Sequence, residues 1–111
     1  METRSSVFGT PLRDRILASL AMREQSHVGE LARAFELSSA GVAKAVRQLE
    51  RDGLIVAMER GRTRVLSLNP RWFAKRELRE LLERMADAEP ELYAPLRSLR
   101  ARPRRSGKVL A

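Results

Sequence analysis

Residues 29–68 read GELARAFELSSAGVAKAVRQLERDGLIVAMERGRTRVLSL, and the order of patterns inside them decides the fold. Leu31, Ala32 and Phe35 recur at helical spacing, Leu37 fills a turn, and Ser38 or Ser39 supplies the hydroxyl that starts another helix. That helix, about Ser38–Asp52, separates into two faces. Val42, Val46 and Leu49 form an apolar stripe with Ala45 beside it, while Ala40, Lys44, Arg47 and Arg51 share the opposite side. Asp52-Gly53 is a left-handed stop signal. Leu54–Met58 and Arg64–Leu68 are strand-like, and between them Glu59–Thr63 reads as a glycine-containing hairpin loop rich in arginine. A helix with small residues at its start and long cations further along suits insertion of its N-terminal end into the major groove of duplex DNA.

Upstream, residues 1–9 form a short polar arm in which Val7 and Phe8 offer anchors. Thr10-Pro11 is a cap followed by proline at the first helical position, and Leu12, Ile16, Leu17 and Leu20 line one face as far as about Arg23. His27-Val28 reads as a brief extended piece, a third strand of a small sheet, after which Gly29 opens the next helix. Downstream, Asn69-Pro70 ends the second strand and starts a helix running to about Ala86. Its apolar residues are Trp72 and Phe73, then Leu78, Leu81, Leu82 and Met85. Pro90 opens a last helix carrying Leu92, Tyr93, Leu96 and Leu99, with a break at Pro95. The expected division is an arm at 1–9, a DNA-binding domain at 10–69, C-terminal helices at 70–101 and a basic tail at 102–111. The tail is too polar to order itself.

The chain has 111 residues, no cysteine and a net charge of +8. That length buries a modest core without staples, and the absence of cysteine removes disulfides and thiolate metal sites. No run of 18 apolar residues and no secretory leader is present, so the cytoplasm is the expected location. From Arg97 to the end stand six cations and no acid, leaving about +2 for the other 96 residues. A basic excess so placed points to a polyanion partner.

The segment VGELARAFELSSAGVAKAVRQLERDGLI resembles bacterial transcription regulators of the ArsR and MarR type. The positions carrying the resemblance are Val28, Glu30-Leu31-Ala32, Leu37-Ser38, Val42, Val46, Leu49 and Gly53-Leu54-Ile55, within a likeness spanning roughly residues 10–86. It implies a winged helix-turn-helix, mostly α with a small β-hairpin wing (α+β), with additional C-terminal helices. The helices of about Pro70–Ala86 and after Pro90 carry more apolar surface than one small domain easily covers, so they are assigned to dimerisation, and a homodimer on double-stranded DNA is expected. Two departures stand out. Ala40-Gly41 replaces the Ser-Thr common in such regulators, which marks either a close backbone approach at Gly41 or a relaxed site. The cysteine clusters and His/Asp/Glu sets of ArsR-type metal sensors have no material here, with no cysteine and one histidine.

The candidate DNA-binding residues are therefore Ser38, Ser39, Ala40, Gly41, Ala43, Lys44 and Arg47 on the recognition helix, and Arg60, Arg62 and Arg64 on the wing, about Glu59–Arg64. Three arginines in five residues suit phosphate or minor-groove contact. Leu78, Leu81, Leu82, Met85, Leu92 and Leu96 are the candidate dimerisation residues. His27 reads as a turn or helix-edge residue, and Trp72 and Phe73 as core, with a small-molecule pocket the alternative. Glu77, Glu80 and Glu83 interleave with Arg76, Arg79 and Arg84 as helical ion pairs. No catalytic constellation, cofactor motif or metal set is found. The first expectation is a sequence-specific regulator. Its rivals are a low-specificity architectural nucleic-acid-binding protein and a winged-helix module that holds a protein partner.

Overall fold

The computed structural model describes residues 6–94, in the order α1 (Pro11–Arg23), α2 (Val28–Phe35), α3 (Ser39–Arg51), β1 (Ile55–Arg60), β2 (Thr63–Leu68) and α4 (Lys75–Ala88). Expectations for Pro95, Leu96, Leu99 and the basic tail lie outside the described residues.

Thr10 caps α1 as its sequence promises, its side chain accepting from the Arg13 N–H with Pro11 in the first turn. Asp14, buried in that turn, accepts from the Val7 and Phe8 N–H groups at 3.0 and 2.8 Å. Two orphan donors and a helix N-terminus thus satisfy one buried carboxylate, and the arm from Ser6 to Gly9 folds back onto α1. Phe8 packs against the core, whereas Val7 stays half exposed.

α2 begins at Val28, one residue before Gly29, because His27 is its cap and accepts the Glu30 N–H on Nδ1. The expected strand at His27-Val28 is therefore corrected. Pairing occurs one residue earlier, as a single antiparallel bridge in which Ser26 and Leu66 exchange N–H···O bonds of 3.1 and 2.8 Å. Beneath it, buried Glu30 accepts the Ser26 hydroxyl at 2.7 Å and pairs with Arg23 at 2.9 Å.

α2 and α3 both end in Schellman geometry. At α3 the left-handed residue is Gly53, and the Leu54 N–H reaches back to the Leu49 carbonyl, as Asp52-Gly53 foretells. At α2 it is Glu36, with φ of 58°, and the Leu37 N–H bonds to the Ala32 carbonyl. The Leu37 side chain does not fill the turn, since 45% of its surface is exposed.

The two-stranded sheet pairs Ile55 with Leu68 through to Arg60 with Thr63, so the hairpin loop is only Gly61-Arg62. Positive φ at Gly61 alone matches a type II′ turn. The expected five-residue loop is shorter because both strands continue into solvent. There neither face is buried, and the alternation that marks a strand in sequence disappears.

α4 starts at Lys75, five residues after the expected Pro70. Residues 70–74 form turns instead, held by Asn69, whose Oδ1 accepts from the Arg71 N–H and whose Nδ2 donates to the Gly53 carbonyl. Phe73, expected in the core, is 90% exposed and leans on half-buried Trp72 with ring centroids 4.8 Å apart. Leu78, Leu82, Met85 and Ala86 are buried, with α4 packed on α1. The expected ladder of ion pairs along α4 reduces, among the described residues, to Arg76–Glu77 at 3.8 Å. Arg79 instead donates to the Ala21 carbonyl at the C-terminal end of α1, where a cation meets the negative helix end. Residues 90–93 are turns rather than the start of a helix, and Tyr93 is fully buried against the same core.

Candidate nucleic-acid interface

Ser38 has extended backbone and caps α3, its Oγ accepting the Gly41 N–H at 3.1 Å. Its oxygen accepts that bond while the hydroxyl keeps its own donor, and the first turn of the helix is exposed, an arrangement that receives phosphate. The buried stripe Val42, Ala45, Val46 and Leu49 fixes the helix's rotation about its own axis. That rotation leaves Ser39, Ala40, Gly41, Lys44 and Arg47 exposed and Ala43 half exposed, all on the outward side. Among the described residues neither Lys44 nor Arg47 forms an ion pair with an acid, so both cations are available to an external anion. A Cβ added at Gly41 would stand 3.3 Å from the Ser38 Oγ, so the glycine leaves room around the cap at the point where the helix is most exposed.

The wing arginines divide. Arg60 and Arg62 are exposed at the hairpin tip. Arg64, assigned from sequence to the same DNA-facing set, has its guanidinium on α3: Nη1 and Nη2 donate to Glu50 Oε1 and Oε2 at 3.2 and 2.7 Å. This two-pronged bond ties β2 to the recognition helix.

A second tie is not legible in the sequence. Arg13 of α1 donates through Nε and Nη2 to Gln48 Oε1 at 3.2 and 2.7 Å, and through Nη1 to the Phe8 carbonyl. Residues 13 and 48 are 35 apart, and nothing in local spacing signals the bond. Arg33, exposed on α2, likewise has no sequence signal of its own.

Three of the candidate dimerisation residues, Leu78, Leu82 and Met85, are at most 9% exposed within the single chain. Within the single chain α4 packs on α1. Leu81 and Leu92 are exposed, and Phe73 joins them as apolar surface. An open groove of about 800 Å³ runs between α1 and α4, lined by Ala21, Met22, Glu24, Lys75, Arg79, Glu83 and Asp87. Trp72 and Phe73 do not border it. Among the described residues no three His, Asp or Glu side chains come together as metal ligands, and no helix is long and apolar enough to cross a membrane.

No protein-family model and no curated protein matches the chain. Solved structures do. A point mutant of ZitR from Lactococcus lactis aligns with a TM-score of 0.62 at 22% identity, over 89% of this chain and 65% of its own. The adhesin competence repressor AdcR from Streptococcus pyogenes gives 0.62 at 19% identity, over 81% of this chain and 66% of its own. The chain thus spans just under two thirds of the length of either protein. With four helices and an antiparallel hairpin among the described residues, the chain has an α+β, winged-helix-like fold.

Proposed function

We propose that the chain is a sequence-specific DNA-binding transcription regulator that acts as a homodimer and performs no catalysis. The observation that carries this reading is the outward face of α3. Small residues crowd its N-terminal turn, and the unpaired Lys44 and Arg47 follow on the second helix of a helix-turn-helix. In the bound state α3 lies in the major groove, where Arg47 and Lys44 reach guanine O6 and N7. Arg60 and Arg62 extend from the wing to the flanking backbone or minor groove. Regulation follows from occupancy: a protein seated on a promoter blocks or recruits the transcription machinery. The name of AdcR, a repressor sharing the fold, supports the same class of activity.

Dimerisation belongs to the exposed apolar residues Phe73, Leu81 and Leu92 rather than to the whole leucine stripe of α4. A two-fold dimer places two copies of α3 on half-sites about one helical turn apart. Selection of genomic fragments by the full chain tests the reading. A regulator enriches a short palindrome, an architectural protein enriches no defined sequence, and a protein-interaction module retains almost no DNA.

A further inference from the structure

We propose that Arg64 is a positioning residue: its fork on Glu50 sets the wing against the recognition helix, so that the two engage DNA as one rigid reader. This rests on the DNA-binding reading above and assigns Arg64 a different task from its neighbours Arg60 and Arg62.

The geometry separates the three arginines. Arg60 and Arg62 stand beside and within the hairpin turn and form no ion pair among the described residues, whereas Arg64, two residues past the turn and itself half exposed, points both its terminal nitrogens at one carboxylate. Glu50 sits in the last turn of α3, on the flank between the buried stripe and the outward face, with its side chain 21% exposed. A bidentate guanidinium–carboxylate pair fixes orientation as well as distance, which a single-point ion pair does not. The rest of the wing has little else to hold it: residues 58–64 are exposed on both strands, and the buried part of the hairpin is confined to Ile55, Leu66 and Leu68. The pair therefore stands where the cantilevered end of the hairpin leaves the core. It also gives a cationic partner to Glu50, an acid about one helical turn from Arg47 on α3.

The proposal makes a prediction whose sign runs against simple electrostatics. Removing a negative charge beside a DNA-binding helix strengthens binding to any duplex if charge alone matters. If Glu50 holds the wing through Arg64, Glu50→Gln instead weakens binding to the recognised sequence. The experiment uses the full chain and two duplexes of about 30 bp, long enough for two half-sites one turn apart. One duplex is selected from a randomised library by the wild type, and the other is random. Affinity is measured for the wild type, Glu50→Gln, Arg64→Gln, the double variant Glu50→Gln/Arg64→Gln and the reversed pair Glu50→Arg/Arg64→Glu, each at several salt concentrations. Circular dichroism confirms that each variant is folded.

The expected result is that Glu50→Gln and Arg64→Gln lower the ratio of selected to random affinity by similar factors, on the order of threefold to tenfold. The reversed pair regains most of that ratio. The two losses do not add, because each removes the same link. Tighter or unchanged binding of Glu50→Gln to the selected duplex overturns the proposal. So does a drop of about one unit in salt slope for Arg64→Gln with Glu50→Gln neutral, since that places Arg64 on a phosphate. Lys44→Ala and Arg47→Ala on the same duplexes separate the two levels of the argument. If they abolish discrimination while Glu50→Gln does not weaken it, only the positioning role fails. If the wild type selects no sequence, the regulator reading falls and this inference with it.

Discussion

Two residues carry conformational choices that a substitution can interrogate. Glu36 holds the left-handed position at the end of α2, with φ of 58°, where glycine is free of the Cβ clash that a side chain meets. Glu36→Gly is expected to stabilise the fold by about 0.5–1 kcal/mol, read as a rise in thermal midpoint; a fall would show that the glutamate side chain contributes something its exposed position does not reveal. Gly41 poses the opposite question. Alanine there gains roughly 1 kcal/mol of helix propensity, partly offset because its Cβ crowds the exposed Ser38 hydroxyl, which must give by a few tenths of an ångström. Gly41→Ala is therefore expected to leave stability level or slightly raised, by less than about 1 kcal/mol. If the backbone of α3 approaches DNA closely at this turn, the same variant loses affinity for its selected duplex by more than tenfold. Equal affinity would assign the glycine to a relaxed site.

At the level of elements, α4 has two adjacent leucines in different worlds. Leu82 is fully buried against α1, so Leu82→Ala is expected to cost about 2–5 kcal/mol in denaturant unfolding. Leu81 is 43% exposed, and Leu81→Ala is expected to cost little stability while weakening self-association in sedimentation measurements. A large stability loss at Leu81 with no change in mass would contradict the division. This pair also shows what the sequence can disclose. Thr10-Pro11 and Asp52-Gly53 are readable because a cap and a left-handed stop act within a few residues of themselves. The stripe Val42, Val46, Leu49 is readable because period alone places it. The partner of a stripe is not: Leu78 and Leu82 look equally suited to a second chain until α1 is seen to cover them. Arg64 escapes a reading by spacing for the same reason, since its acid lies 14 residues away on another element. Phe73 reads as core because aromatics usually are, but the turns after Asn69 carry it past the edge of the core.

For the whole molecule, charge and symmetry make the remaining predictions. The six cations from Arg97 onward face no acid in sequence. Deleting residues 102–111 is expected to lower affinity for selected and random duplexes by a similar factor. It should also flatten the salt dependence, by about one unit of slope for each phosphate the tail no longer neutralises. Unchanged affinity and slope would confine recognition to α3 and the wing. The account's central claim is that α3 reads base edges, and one comparison addresses it directly. Equilibrium binding of the wild type, Lys44→Ala and Arg47→Ala is measured on the selected duplex and on random duplex at one salt concentration. Removing a hydrogen bond to a base costs about 1–3 kcal/mol on the selected sequence and much less on the random one, so the predicted result is a collapse of the specificity ratio. Equal reductions on both duplexes would place Lys44 and Arg47 on the phosphate backbone and contradict the claim.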